Sequence, residues 1–323
     1  MKSSRRSVLR FLTAAFALPA IRSIARAQAY PSRLVRIIVG FPPGGTADIV
    51  ARLIAQSLSE RLGGQFVVET RPGAATNIAT GAVVHASADG YMLLLASQTN
   101  AVNASLYDKL DFDFLRDIAP VASIVRVAGV MVVNPSFPAR TVPEFIAYAK
   151  ANPGKINMGS GGNGSAQHLY GELFKMMTGI DMVHVPYRGQ PLNDLLGGGL
   201  QVIFNPIPST IEFIRGGKLR ALAVTSATRQ EVLPDTPAIA EFVPGYEASG
   251  WFGIGAPKDT PVGVVNTLNR AVDTALADPQ MKRRISDLGA TVLIGSPADF
   301  GNLIAEESRK WGKVVAVAGI KLD

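Results

Sequence analysis

The chain has 323 residues, enough for two domains of ordinary size, with 47% hydrophobic and 18% charged residues. It holds no cysteine, which excludes disulfides, thiolate metal sites and cysteine nucleophiles. The formal charge of +7 comes almost entirely from Lys2, Arg5, Arg6, Arg10, Arg22 and Arg26, and without these six the chain carries 26 basic against 25 acidic side chains, so the charge gives no sign of a nucleic-acid partner.

Residues 1–29 read as an export signal, with a basic end and an apolar stretch at 11–21 too short to span a membrane. Ala27-Gln28-Ala29 marks a cleavage site, with Ala25-Arg26-Ala27 as the alternative. Ser4-Arg5-Arg6-Ser7-Val8-Leu9-Arg10 resembles the twin-arginine export motif, and Arg22 and Arg26 favour that route. The expectation is a periplasmic protein that begins near Tyr30.

The strand predicted at 35–40 runs into Phe41-Pro42-Pro43-Gly44-Gly45-Thr46, and a helix follows over 47–62 with Ile49, Val50, Leu53, Ile54 and Leu58 on its core face. Prolines stiffen this turn, and glycines let its backbone approach a ligand. The unpaired N–H groups of the helix start then offer an anion site, the alternative being a plain strand-to-helix turn that binds nothing. Neither the P-loop lysine nor the G-x-G-x-x-G fingerprint is present, which suits a small carboxylate better than a nucleotide. A strand at 65–70, a helix at 77–86 and a strand at 91–96 complete a βαβαβ unit, closed by a polar loop at 97–100.

Strands at 121–133 are expected to cross to a second lobe. Thr141 caps a helix at 142–151, and a strand at 155–160 enters the glycine-rich loop Gly161-Gly162-Asn163-Gly164-Ser165. Ser165 caps the next helix, at 166–178. The strand, glycine turn and helix start of the first lobe are thus repeated in the second, so two anion-binding ends face one crevice at the carboxyl ends of strands. Further strands are read at 182–185, 200–204 and 219–225, and short helices end near 195 and 215. Residues 246–254 return to the first lobe, and proline-initiated helices at 261–277, 279–288 and 297–318 close it.

Several pieces together resemble the substrate-binding proteins of the tripartite tricarboxylate transporter family, the Bug or TctC type. They are the 41–48 turn, Arg71-Pro72-Gly73-Ala74, Asp89-Gly90-Tyr91, Gly159-Ser160-Gly161 with Gly164-Ser165 and His168-Leu169, His184-Val185-Pro186-Tyr187-Arg188-Gly189, Leu195-Leu196-Gly197-Gly198, and Leu233-Pro234-Asp235-Thr236-Pro237. The resemblance implies an α/β, two-lobed periplasmic-binding-protein fold (the type II Venus flytrap), each lobe a doubly wound sheet. Lobe 1 would take 30–125 and 248–323, and lobe 2 would take 126–247. It further implies a receptor, not an enzyme. Such a receptor uses no cofactor or metal and works as a monomer that passes a small carboxylate to TctA/TctB-type membrane subunits. Carried over, the ligand-binding residues are Phe41, Gly44, Gly45, Thr46 and Ser97 in the first lobe and Ser160, Gly164, Ser165, Tyr187 and Asn205 in the second. The chain departs from the family pattern at Ala75-Thr76, Gln190 and Asn205.

Other residues are read more plainly. Asp48 stabilises its helix start, since a carboxylate would repel a bound anion. His168 and Glu172 form an i,i+4 pair, and His184 is a satisfied core residue. Arg188 either neutralises a carboxylate or faces solvent, and Trp251 and Phe252 pack at the return crossing. Asp111 and Asp113 are too isolated for a calcium loop. A cleft hydrolase using Ser165 and His168 lacks G-x-S-x-G and a placed acid. A sensor that presents its ligand to a signalling partner remains an alternative to transport.

Overall fold

The computed structural model describes residues 30–107, 109–187 and 191–321. Residues 1–29, where an export signal is expected, and Arg188 and Gln190 lie outside the described residues.

Strand β1 (Val35–Val39) is the centre of the first lobe, paired in parallel with β2 (Phe66–Thr70) and β3 (Met92–Ser97). Its alternate faces are both buried, so it reads as an almost continuous apolar run. Helix α1 (Thr46–Leu62) buries Val50, Ala51, Ile54, Ala55 and Leu58 on one stripe and stops at Gly63 in the left-handed region, at φ 67°. Helix α2 (Asn77–Val84) leads to β3, as expected. Residues 97–100 differ from the expected loop. Ser97 caps a further helix, α3 (Gln98–Leu106), through a capping box with Asn100. Asp113 caps the short α4 (Phe114–Asp117).

Strand β4 (Ile118–Val133) carries the chain across. Its first part pairs antiparallel with β9 (Ser249–Pro257) and β10 (Ala290–Val292), its last part with β7 (Val202–Pro206) and β8 (Arg220–Val224). The second lobe repeats the parallel core, with β5 (Asn157–Ser160) between β6 (Val183–Pro186) and β7. The order β2-β1-β3-β9-β4-β7-β5-β6 therefore joins two parallel triplets through an antiparallel centre. Helices α5 (Val142–Ala151), α6 (Ala166–Thr178), α7 (Leu192–Leu196) and α8 (Ile211–Arg215) cover the second triplet. At the crossing, Glu247 accepts from Arg126 of β4 at 3.0 Å and from Lys310 at 2.7 Å.

The C-terminal helices α9 (Val262–Ala277), α10 (Pro279–Asp287) and α11 (Pro297–Ala318) match the expected segments within a residue at each end. Helices α9 and α10 pack on the first-lobe core with α1. Helix α11 does more than close that lobe. Phe300 and Ile304 pack beside Trp251 and Leu94, whereas Trp311, Val314 and Val315 join Phe145, Phe174 and Tyr246 in the second-lobe core. Val102 of α3 enters that same second-lobe core. Two helices therefore bridge the lobes, a feature set by long-range packing that periodicity does not reveal.

Candidate functional site

The loop after β1 is organised by Asp48, whose carboxylate accepts the Gly44 N–H at 3.0 Å and the Arg52 Nε–H at 3.0 Å. The Arg52 guanidinium, and then the Gly44 amide, hold the Asp48 carboxyl below its usual range against the cost of burial. This agrees with the helix-start reading of Asp48 and corrects the idea that the Gly44 amide meets an anion. Gly44 supplies the left-handed turn, at φ 83°. Gly45 caps α1 with extended backbone and has no side chain to bond the first turn. The Thr46 and Ala47 N–H groups therefore lack an intrahelical partner. Phe41 meets the edge of Phe252, ring centroids 6.0 Å apart, and Trp251 packs edge-on to Phe300 at 5.5 Å, which places both crossing aromatics in packing roles.

Ser97 is only 2% exposed. Its N–H and hydroxyl both donate to Asn100 Oδ1 at 2.7 Å. Asn100 Nδ2 in turn donates to Thr76 Oγ1 at 2.9 Å and Thr80 Oγ1 at 2.8 Å. Ala74, Ala75 and Thr76 all have positive φ, at 44°, 47° and 75°, a conformation costly for residues with a Cβ. Asn103 pins this turn by donating to Ala75 O at 2.6 Å and Asn77 Oδ1 at 2.7 Å. Gln98 reaches the other lobe, accepting from the Tyr170 hydroxyl at 3.2 Å. Sequence reasoning missed Gln98, Asn100 and Asn103. The serine-to-asparagine spacing of a capping box was the available signal.

In the second lobe, Ser165 Oγ caps α6 by accepting the His168 N–H at 3.4 Å, as read from the sequence. The His168 ring does not face that hydroxyl as a base. Its Nδ1 accepts the Gly164 N–H at 3.2 Å, and its Nε2 lies 3.6 Å from Glu172. His168 stacks face to face on His184, centroids 3.5 Å apart and planes 6° from parallel. His184 Nε2 contacts Ser160 Oγ at 2.5 Å, and that hydroxyl also accepts the Gly162 N–H at 3.1 Å. The histidine pair thus fastens the glycine loop near both its ends. Tyr187 donates its N–H to Ser160 O at 2.9 Å and its hydroxyl to Asp194, and this second hydrogen bond pushes the phenol pKa up. Ser160 and Asn205 have 0% exposure, so both sit behind the loop surface. Among the described residues, no group of three His, Asp or Glu side chains could hold a metal ion.

Burial first, and then the neighbouring His168, push the His184 pKa down to about 4. The unfolded chain takes up this proton near the ordinary value of about 6.5, before the folded chain does. His184 therefore favours the fold fully above about pH 6.5 and loses that contribution as pH falls toward about 4. With partial exposure discounted, the expected loss is on the order of 1–2 kcal/mol. Urea unfolding across this window should show a flatter pH slope for His184→Gln than for the parent, and equal slopes would remove the assignment.

The geometry defines a class. Two α/β lobes on one mixed sheet, with a glycine turn and a helix start at the carboxyl end of a central strand in each, make a two-lobed periplasmic solute-binding protein. Residues 50–320 match the family described as the tripartite tricarboxylate transporter family receptor, TctC, and the chain belongs to it. Protein BugT of Bordetella pertussis is 38% identical over 301 residues, covering 92% of each chain. Among solved structures, R. palustris Rpa4515 with adipate is 38% identical, with a TM-score of 0.81 over 91% of this chain and 100% of that one. MatC from Rhodopseudomonas palustris with bound malate is 30% identical, with a TM-score of 0.76 over 88% and 100%.

Proposed function

We propose that this protein captures a small carboxylate between its lobes in the periplasm and delivers it, as a monomer, to TctA/TctB-type membrane subunits. The observation that carries this is the start of α1. It is capped by glycine alone, its first-turn amides lack intrahelical partners, and it belongs to a chain whose relatives include receptors holding adipate and malate. The Gly45, Thr46 and Ala47 amides beside Phe41 hold one carboxylate, with Gly44 shaping the turn and Ser97 supporting it from behind. Gly164, Ser165 and Tyr187 supply the second-lobe contacts, and Ser160 and Asn205 support them. We assign 30–125 and 248–323 to lobe 1 and 126–247 to lobe 2, with α3 and α11 bridging. Residues 1–29 act as a cleaved, twin-arginine-type signal.

No catalytic step is assigned. The Ser160–His184 pair resembles a nucleophile and base, but Ser160 is buried and its hydroxyl is engaged by the Gly162 backbone. A thermal-shift screen of dicarboxylates, tricarboxylates, aromatic acids and amino acids tests the reading. An acid of this panel should raise Tm by mass action. A panel in which no acid shifts Tm would count against it. The matching acid should also lower the radius of gyration in solution scattering, through hinge motion at β4 and β9. An unchanged profile would argue against closure.

A further inference from the structure

Behind the second-lobe loop runs an unbroken series of uncharged hydrogen bonds. The Gly161 N–H donates to Gln167 Oε1 at 2.6 Å, and Gln167 Nε2 donates to Asn205 Oδ1. Asn205 Nδ2 donates to Ser209 Oγ at 2.9 Å and Thr210 Oγ1 at 2.7 Å, and both hydroxyls donate onward to Pro206 O at 3.0 and 2.9 Å. Gln167 is 7% exposed, and Asn205 and Thr210 are 0%.

The direction of this series is forced. The Gly161 N–H can only donate, so Gln167 presents its oxygen to it and its amide nitrogen to Asn205. Asn205 then accepts through its oxygen and turns its amide nitrogen toward the Ser209 and Thr210 hydroxyls. Asn205 has spent both amide protons and its oxygen inside the protein and shows no surface. Reversing one amide would leave buried groups unpaired.

We propose that Gln167 and Asn205 are positioning residues, which hold the Gly161 end of the glycine loop in place behind the Gly164, Ser165 and Tyr187 contacts and so set solute affinity without touching the solute. This rests on the carboxylate-receptor reading above. The series ties together the β5 loop, α6 and the end of β7, three elements that converge on that loop.

The test compares the parent with Gln167→Met, which keeps length and removes the acceptor, and Gln167→Glu, which keeps an acceptor for Gly161 while Asn205 turns over. Two quantities are read. One is the hydrogen-exchange rate of the Gly161 amide without ligand, and the other is calorimetric affinity for adipate and malate. Gln167→Met should speed Gly161 exchange and weaken affinity, each about ten-fold, whereas Gln167→Glu should return Gly161 exchange to within about three-fold of the parent while its own negative charge keeps affinity for the acids low. A purely structural role would lower the urea midpoint and leave affinity intact. Gly161 exchange unchanged in Gln167→Met, or faster exchange with unchanged affinity, overturns the proposal. If the parent binds neither acid, the receptor reading loses support for those ligands, while Gly161 exchange still decides whether Gln167 holds the loop.

Discussion

Gly45→Val is expected to fold like the parent and to bind its carboxylate ten- to a hundred-fold more weakly. The structure makes this a clean probe. Gly45 has φ −81° and ψ 172°, extended backbone that valine adopts without strain. A Cβ built there would meet only Pro42 O, at 3.8 Å. The added methyls therefore have room, and that room lies beside the first-turn amides of α1 where the carboxylate is proposed to sit. Losing one charge-assisted contact costs about 1.5–3 kcal/mol, which gives the stated range. Gly44→Val serves as the contrast. It forces a branched residue to φ 83° and destabilises the fold without filling packed space, since nothing lies within 4 Å of its Cβ. Calorimetry and thermal melts on both variants decide the matter. A Gly45→Val protein with parental Tm and parental affinity would remove the first-lobe cradle.

Trp311→Ala is expected to cost about 3–5 kcal/mol of stability, the range for emptying a large buried aromatic site. Trp311 is 0% exposed, packs tilted against Tyr170 with ring centroids 5.7 Å apart and donates its Nε1–H to Glu307 Oε2 at 2.7 Å. The substitution opens a cavity and strips a partner from a carboxyl whose pKa burial already pushes up. Against typical stabilities of about 5–15 kcal/mol, such a loss is measurable as a drop in the urea midpoint. A loss below about 1 kcal/mol would show that the α11 packing matters less than its burial implies.

What was legible in the sequence was local. Helices α1, α6 and α11 stood out because a stripe of apolar residues, a cap and a terminating glycine all lie within one segment. The two glycine turns were readable for the same reason. Helix α3 was not, because Gln98-Thr99-Asn100 looks like a solvated loop until α11 and the second-lobe core bury it. The Gly44–Asp48 bond was half legible: the acid was placed at the helix start, but the amide it consumes was assigned to ligand. Gln167 and Asn205 are 38 positions apart, and His168 and His184 belong to different elements. Such partners meet only once β5, β6 and β7 are neighbours, which depends on topology and not on spacing.

Helix α3 leaves the end of β3 at Ser97 and finishes at Leu106, whose Cδ1 would lie 2.4 Å from a Cβ on Gly164. It is a ruler of nine residues, about 13 Å, laid from the end of β3 to the second-lobe glycine loop. A helix changes length only in steps of about 1.5 Å, and each step turns its far end by about 100°. An inserted or deleted residue would swing Leu106 away from Gly164 and draw Val102 out of the second-lobe core. The reach of α3, and not the width of a cleft that hinges at β4 and β9, is thus quantised by the backbone. Side chains and turns at either end of α3 can vary freely, but its length cannot change by a fraction of a step.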